Sequence, residues 1–295
     1  LIADGVVAGL AQFREDGSVA HLLHPRDRET GVGYSLLPMI HAVLADLFTR
    51  EQAERHADLI RRHLLAADGA RLFDRPLPYR GGVPERFQRA ETSTFFGREI
   101  GLMYTHAHLR YAEAMARLGD GEALFLALRQ ANPVGVREVV KSARLRQANC
   151  YASSSDAAFS DRYQAAARYH GVRTGAVEVE AGWRVYSSGA GIAVRLVREC
   201  LLGLRLARAR LDIDPVLPRS LDGLRVTAEI AGRKVELRYR VGARGCGPQA
   251  LRLNGAELPF TRLQNPYREG GARVSMEAFR EGLRDGDDTL LVELG

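Results

Sequence analysis

The sequence predicts an α-then-β protein: a helical part over residues 1–210 followed by an antiparallel β-sandwich over 211–295. Three observations carry that division. Helices that are apolar nearly all round alternate with helices bearing one apolar stripe, a pattern that describes a toroid of helical hairpins better than an open bundle. After Leu211 the texture changes to short runs of alternating apolar and polar residues, the mark of half-buried strands. Between the two, Asp214-Pro215-Val216-Leu217-Pro218 supplies the punctuation of a junction.

Taken in order, the chain first reaches a turn-rich stretch from His24 to Gly33, then an apolar helix carrying Leu36, Leu37, Met39, Ile40, Val43, Leu44, Leu47 and Phe48. Pro38 is tolerated there because the first helical turn has no intrahelical acceptor for its missing N–H. Thr49 and Gln52 stand at capping-box spacing, and the helix that follows, to about Ala67, has a single stripe of Ala53, Ala57, Ile60 and Leu64. A long polar connection, Asp68 to Pro84, leads to the stretch around which the rest is organised, FFGREIGLMYTHAHLRYAEAMARL at 95–118. From Ile100 this reads as a buried helix. His106, Arg110, Glu113 and Arg117 follow steps of four, three and four, so they form one polar stripe that needs partners or a wet cavity.

Gly119-Asp120-Gly121 turns the chain into a shorter helix, Glu122 to Gln130, stopped by Asn132-Pro133. Ser153-Ser154-Ser155-Asp156 predicts a cap for a helix from Ala157 to His170 with Gly171 as its stop, and the polar run from Arg144 to Asp156 reads as a solvated loop. Ser187-Ser188-Gly189-Ala190-Gly191 opens a third buried helix that ends at Gly203. Beyond the junction, Leu224 to Ile230 and Val235 to Val241 predict a hairpin, Asn254-Gly255 a tight turn, and Leu290, Val292 and Leu294 a closing strand.

Composition narrows the function classes. The 46% hydrophobic and 26% charged residues are those of an ordinary globular protein, and no apolar run approaches the roughly 20 residues of a membrane span. The 42 basic residues exceed the 36 acidic ones, but they are dispersed, with Arg205, Arg208 and Arg210 the densest cluster, so nucleic acid is not an expected partner. Cys150, Cys200 and Cys246 make an odd count with neither CxxC spacing nor a His pattern, which points to a reduced, cytoplasmic setting and to no metal.

Two features suggest chemistry. Ser187, Ser188 and Gly189 put hydroxyls and open backbone at a helix start, where N–H groups and the helix dipole favour an anion. The bland alternative is an ordinary Ser cap. His106 lies near Arg98 and Glu99 at the other helix start, although a His in an apolar helix is more often a satisfied core residue. Tyr104, Tyr151, Trp183 and Tyr186 offer faces on which a sugar can stack, or simply core. No Ser sits on a strand-to-helix elbow and no Cys has an evident His partner, so covalent catalysis is unsupported.

In this order the pieces resemble the inverting β-glucoside phosphorylases of the cellobiose phosphorylase group, glycoside hydrolase family 94. Glu99, Gly101, Tyr104, His106 and Ala107 match that family's E-N-G-G-x-Y/F-x-H-A run, while Ile100 and Leu102 depart from it. Ala112 to Ala123 resembles the continuation of that helix, and Asn132-Pro133 the N-P after it. Trp183 to Gly191 resembles W-x-x-Y-T-G-S-A-G with Ser187 in place of Thr, and Ile213 to Pro218 resembles I-D-P-x-[IL]-P. The wording HLLHPRDRETG, DRPLPYRGG and SSSDAAFSDRY is most similar to the branch that acts on β-1,2-linked oligoglucans.

The resemblance implies the second half of an (α/α)6 barrel ahead of the β-domain, and phosphorolysis of an oligosaccharide by inorganic phosphate with no cofactor. It implies phosphate contacts from His106, Ser187, Ser188 and Gly189, and sugar contacts from Arg98, Glu99, Tyr104, Trp183 and Tyr186. The general acid is expected upstream of Leu1, so this chain is expected to be a C-terminal fragment, inactive alone. Oligosaccharide and phosphate are the implied partners, with a homodimer as a further expectation and neither membrane nor nucleic acid. Phosphate dependence separates this reading from an inverting hydrolase or an idle sugar-binding relative on the same fold. A helical interaction scaffold is the rival from another class.

Overall fold

A capping box sets the first well-defined helix pair. The Thr49 hydroxyl accepts from the Gln52 N–H at 3.3 Å while the Gln52 side chain accepts from the Thr49 N–H at 2.8 Å, so two donors at a helix start are satisfied reciprocally. The computed structural model describes residues 2–3, 6–7, 11–13, 19–21, 32–75, 103–182 and 187–295. They fall into two compact units, Leu1–Ala114 with Leu126–Ala193, and Met115–Phe125 with Val194–Gly295.

In the first unit, β1 (Ile2–Ala3) pairs with β2 (Val6–Val7) and β3 (Ala11–Phe13) with β4 (Val19–His21), both antiparallel. Then come α1 (Leu36–Leu44) and α2 (Arg50–Leu59), and α2 runs on through a π turn over Ile60–Leu64. Ala53, Ala57, Ile60 and Leu64 are all buried, which is the single stripe the sequence predicts. A short antiparallel pair, β5 (Leu65–Ala66) with β6 (Gly69–Ala70), takes the place of the helix's expected last residues. α1 is less enclosed than its sequence suggests, since Leu37 and Leu47 are large exposed hydrophobics.

The central helix starts later than predicted. Met103–Tyr104 is a strand, β7, and α3 spans Thr105–Leu118, followed by α4 (Gly121–Ala131) and a single turn, α5 (Val136–Val139). The expected cap at Ser153–Asp156 is overturned: Ser154–Ala157 is strand β8, paired on one side with β7 and on the other with β9 (Val179–Ala181), and Ser153, Ser154 and Ser155 are buried. The nearby helix is α6 (Arg162–Arg168), capped by Asp161, whose carboxylate accepts from the N–H groups of Tyr163 and Gln164. Gly171 does not stop it but lies within α7 (His170–Thr174), and the stop is Gly175 at φ 76°. Val140, Phe159, Ala165, Val172 and Val179 share one core around this sheet.

α8 (Ser187–Leu196) passes into a second π turn, Val197–Leu201. Its predicted burial holds on one side only. Leu196 is fully covered whereas Val194 is 68% exposed, because a helix covered all round needs neighbours on every side and the described residues supply them on one.

The second unit is mostly sheet. One sheet orders β10 (Leu204–Ala207), β11 (Arg210–Ile213), β17 (Ala272–Ser275) and β16 (Thr261–Arg262), antiparallel throughout. The other orders β12 (Arg225–Ile230), β13 (Arg233–Arg240), β18 (Asp288–Leu294), β14 (Pro248–Leu253) and β15 (Ala256–Glu257), with the one-turn helix α9 (Met276–Glu281) before β18. The β12–β13 hairpin and the Asn254-Gly255 turn form as predicted, with Asn254 and Gly255 at φ 55° and 85°. Leu290, Val292 and Leu294 alternate inward as expected. The expectation of a wholly antiparallel sandwich is corrected by β13 and β18, which pair in parallel. The long excursion between them gives the chain room to return in the same direction, as a parallel pair requires.

Within this unit the last carbonyls of α3, which lack helical donors, are satisfied from a loop of the β part. Asn265 Nδ2 donates to the Arg117 carbonyl at 3.0 Å and Arg268 Nε to that of Ala116 at 3.2 Å. Arg268 is itself fixed by a bidentate pair with Asp214 at 2.8 and 3.0 Å.

Candidate functional site

The start of α3 is tied down by its first residue. The buried Thr105 donates its N–H to the Ser153 carbonyl at 2.9 Å and its hydroxyl to the Ala152 carbonyl at 2.7 Å. Those bonds fix the helix start against the residues just before β8, and the next residue, His106, is exposed. The Tyr104 ring lies alongside it, with centroids 6.4 Å apart and planes at 25°. Farther along the stripe, Arg110 pairs with Glu113. His41, on α1, belongs to the same neighbourhood: partial burial first and then the Arg110 charge lower its imidazole, while Glu113 raises it and His106 lowers it. The predicted polar stripe therefore meets a second histidine that sequence pattern did not single out.

The approach to α8 leans on the same strand. Gly182 donates its N–H to the Ser154 carbonyl at 2.9 Å, and a Cβ there would fall 2.1 Å from the Ser154 hydroxyl oxygen. Only glycine fits. Ser154 donates its hydroxyl to Asp156, and Arg146 Nη2 donates to Ser155 Oγ at 3.0 Å. The start of α3 and Gly182 thus both bond to residues 152–154 where β8 begins, and the first turn of α8 holds Ser187, the exposed Ser188 and the buried Gly189. Tyr104 and His106 are brought together. Arg98, Glu99, Trp183 and Tyr186 lie outside the described residues, and Ser187 is described in its backbone alone.

Behind β8 is a buried ionic layer that sequence reading missed. Asp68 and Arg71, 1% and 2% exposed, pair at 2.5 Å. His108 is fully buried, its Nδ1 accepting from the Ala70 N–H at 3.0 Å and its Nε2 donating to the Ala127 carbonyl at 2.8 Å, which fixes the tautomer. Gly69, at φ 129°, allows this approach, since a Cβ there would meet the His108 ring at 2.7 Å. Burial pushes the Tyr169 hydroxyl up to about 12. Arg146, expected in a solvated loop, is buried, and burial lowers its guanidinium while Asp68 and Asp156 raise it. The one available signal was position: His108 sits two residues from His106, hence on the opposite, covered face of the helix.

Burial, outweighing the Ala127 bond and Asp68, lowers His108 to about 4 from an ordinary 6.5. The unfolded chain therefore binds more protons than the folded one between those values. Stability is expected to be full above the unfolded pKa and to fall as pH drops from about 6.5 through about 4. His108→Gln should flatten that part of the profile in thermal melts taken across the window, and an unchanged slope would contradict the assignment.

Among the described residues no group of three or more His, Cys, Asp or Glu is placed to hold a metal, and no helix is long and apolar enough to cross a membrane. Cys150, Cys200 and Cys246 form no disulfide with one another.

Residues 203–290 match the glycoside phosphorylase C-terminal domain. Over 265 residues the chain is 41% identical to a 1,2-beta-oligoglucan phosphorylase of Listeria innocua serovar 6a, covering 90% of this chain and 24% of that relative. The chain thus spans about a quarter of the length of the relative it matches. The resemblance read from the sequence motifs is borne out: along nine-tenths of its length this chain is similar to a 1,2-beta-oligoglucan phosphorylase, and its sheet-rich part matches the C-terminal domain of glycoside phosphorylases.

Proposed function

We propose that the complete protein carrying this chain is a glycoside phosphorylase that cleaves β-1,2-linked oligoglucans with inorganic phosphate and inversion, giving α-glucose 1-phosphate. The 41% identity to a protein of that name carries the reading. In this reading the helical part is half of an (α/α)6 barrel followed by a β-domain that opens with β10 at Leu204 rather than at residue 211, and no cofactor is needed. Phosphate attacks the anomeric carbon from the face opposite the leaving oxygen, so one carboxylic acid suffices where an inverting hydrolase also requires a base. That acid is assigned to sequence outside this chain.

His106 and the Ser187–Gly189 turn hold the phosphate, while Arg98, Glu99, Tyr104, Trp183 and Tyr186 line the sugar subsites. The exposed His106 in the first turn of α3, fixed by the two bonds of Thr105, and the helix start at Ser187 support this, because N–H groups and hydroxyls at helix starts suit a dianion without a metal. The test is phosphate dependence. The complete protein, given a β-1,2-glucooligosaccharide, is expected to release the α-anomer of glucose 1-phosphate, identified by NMR, only when phosphate is present. Equal release of free glucose with and without phosphate would make it a hydrolase.

A further inference from the structure

A cleft in the first unit, of about 320 Å3, is walled by Ala131 and Pro133, by residues 144–147 with Cys150 and Ala152, and by Glu180 and Ala181 of β9. Its charged groups are balanced from within. Arg144 donates to Glu178 at 2.9 and 3.0 Å and to Glu180 at 2.9 Å. Arg146, only 8% exposed, lines the same space, and its Nε–H has no acceptor among the described residues. An anion entering here would meet Glu180, and a cation would meet Arg144 and Arg146. A neutral ligand rich in hydroxyls meets donors and acceptors together.

The walls favour the same class. Leu145 is 86% exposed and Pro133 stands among the lining residues, so an apolar face is offered beside the polar groups. The volume is at the low end of the roughly 300–1,000 Å3 of small-ligand sites, enough for a single ring rather than a chain of them. Gln147, whose amide already reaches Asn149 at 2.8 Å, adds a neutral donor and acceptor at the rim.

We propose that this cleft takes one glucosyl unit of an oligoglucan, its hydroxyls bonded by Arg146, Glu180 and Gln147 and its C–H face against Leu145 and Pro133. The sugar class rests on the phosphorylase reading, whereas the neutral, hydroxyl-rich character rests on the cleft itself.

Cys150 is a built-in reporter. It lines the cleft and is half-buried, while Cys200 and Cys246 are buried. In the complete protein, alkylation of Cys150 by iodoacetamide, followed on its own peptide by mass spectrometry, is expected to slow when a β-1,2-glucooligosaccharide is added. Inorganic phosphate alone should not slow it. Gln147→Ala, an exposed substitution, should raise the half-protecting concentration by about two- to tenfold, the share of a neutral hydrogen bond. Phosphorolysis is measured on the same samples. Turnover with no protection of Cys150, protection by phosphate instead of sugar, or protection indifferent to Gln147→Ala each overturns the cleft assignment and leaves the phosphorylase reading standing. Protection without turnover keeps the cleft as a sugar site and removes the phosphorylase reading, and the absence of both removes the two together.

Discussion

Asp68→Ala is expected to destabilise the protein by about 3–5 kcal/mol, the cost of breaking a buried ion pair by removing one partner. Asp68 and Arg71 are almost wholly covered, so their attraction is little screened by solvent. The loss spreads, because the Asp68 charge also acts on His108, Arg146 and Tyr169. Asp68→Asn keeps an acceptor for Arg71 and should cost less. Replacing both members by apolar residues of similar volume should cost less again, since the desolvation of two charges is then removed along with their attraction. Urea unfolding of the three variants tests the order. A loss below about 1 kcal/mol for Asp68→Ala would place that pair with solvent-screened ones.

How far the sequence carried the fold depended on how local each signal was. The Thr49 and Gln52 box, the Asn254-Gly255 turn and the alternation of Leu290, Val292 and Leu294 are set within a few residues, and all three formed as read. Ser153 to Asp156 misled because Ser and Asp do favour a helix cap locally, and what decided the matter was pairing with Met103–Tyr104 and Val179–Ala181, far off in the chain. The parallel placement of β18 beside β13 is likewise a long-range choice with no local mark. Asp68, Arg71, His108 and Arg146 look like solvated or incidental polar residues in sequence. Only the fold gathers them behind β8, and with it the buried side of a helix whose exposed side was legible from the spacing of His106, Arg110, Glu113 and Arg117.

His106→Ala in the complete protein is expected to lower kcat/KM for phosphate by about 10- to 100-fold, corresponding to roughly 1.5–3 kcal/mol for a charge-assisted hydrogen bond. The imidazole stands exposed in the first turn of α3, held there by the two bonds of Thr105 to residues 152 and 153. Its removal should therefore leave the fold within about 0.5 kcal/mol of the parent, as for most exposed positions. Ser187→Ala should act in the same direction. If the two side chains grip one dianion, the double variant should cost less than the sum of the singles, since neighbours sharing a ligand are coupled. Thr105→Val separates position from contact: it removes the hydroxyl bond to the Ala152 carbonyl but no proposed phosphate donor, and should weaken phosphate only as far as it shifts the helix start. Steady-state kinetics against phosphate, with thermal melts as the folding control, decide the matter. Two folded variants with an unchanged phosphate dependence would return His106 and Ser187 to ordinary helix-start residues and move the anion site elsewhere.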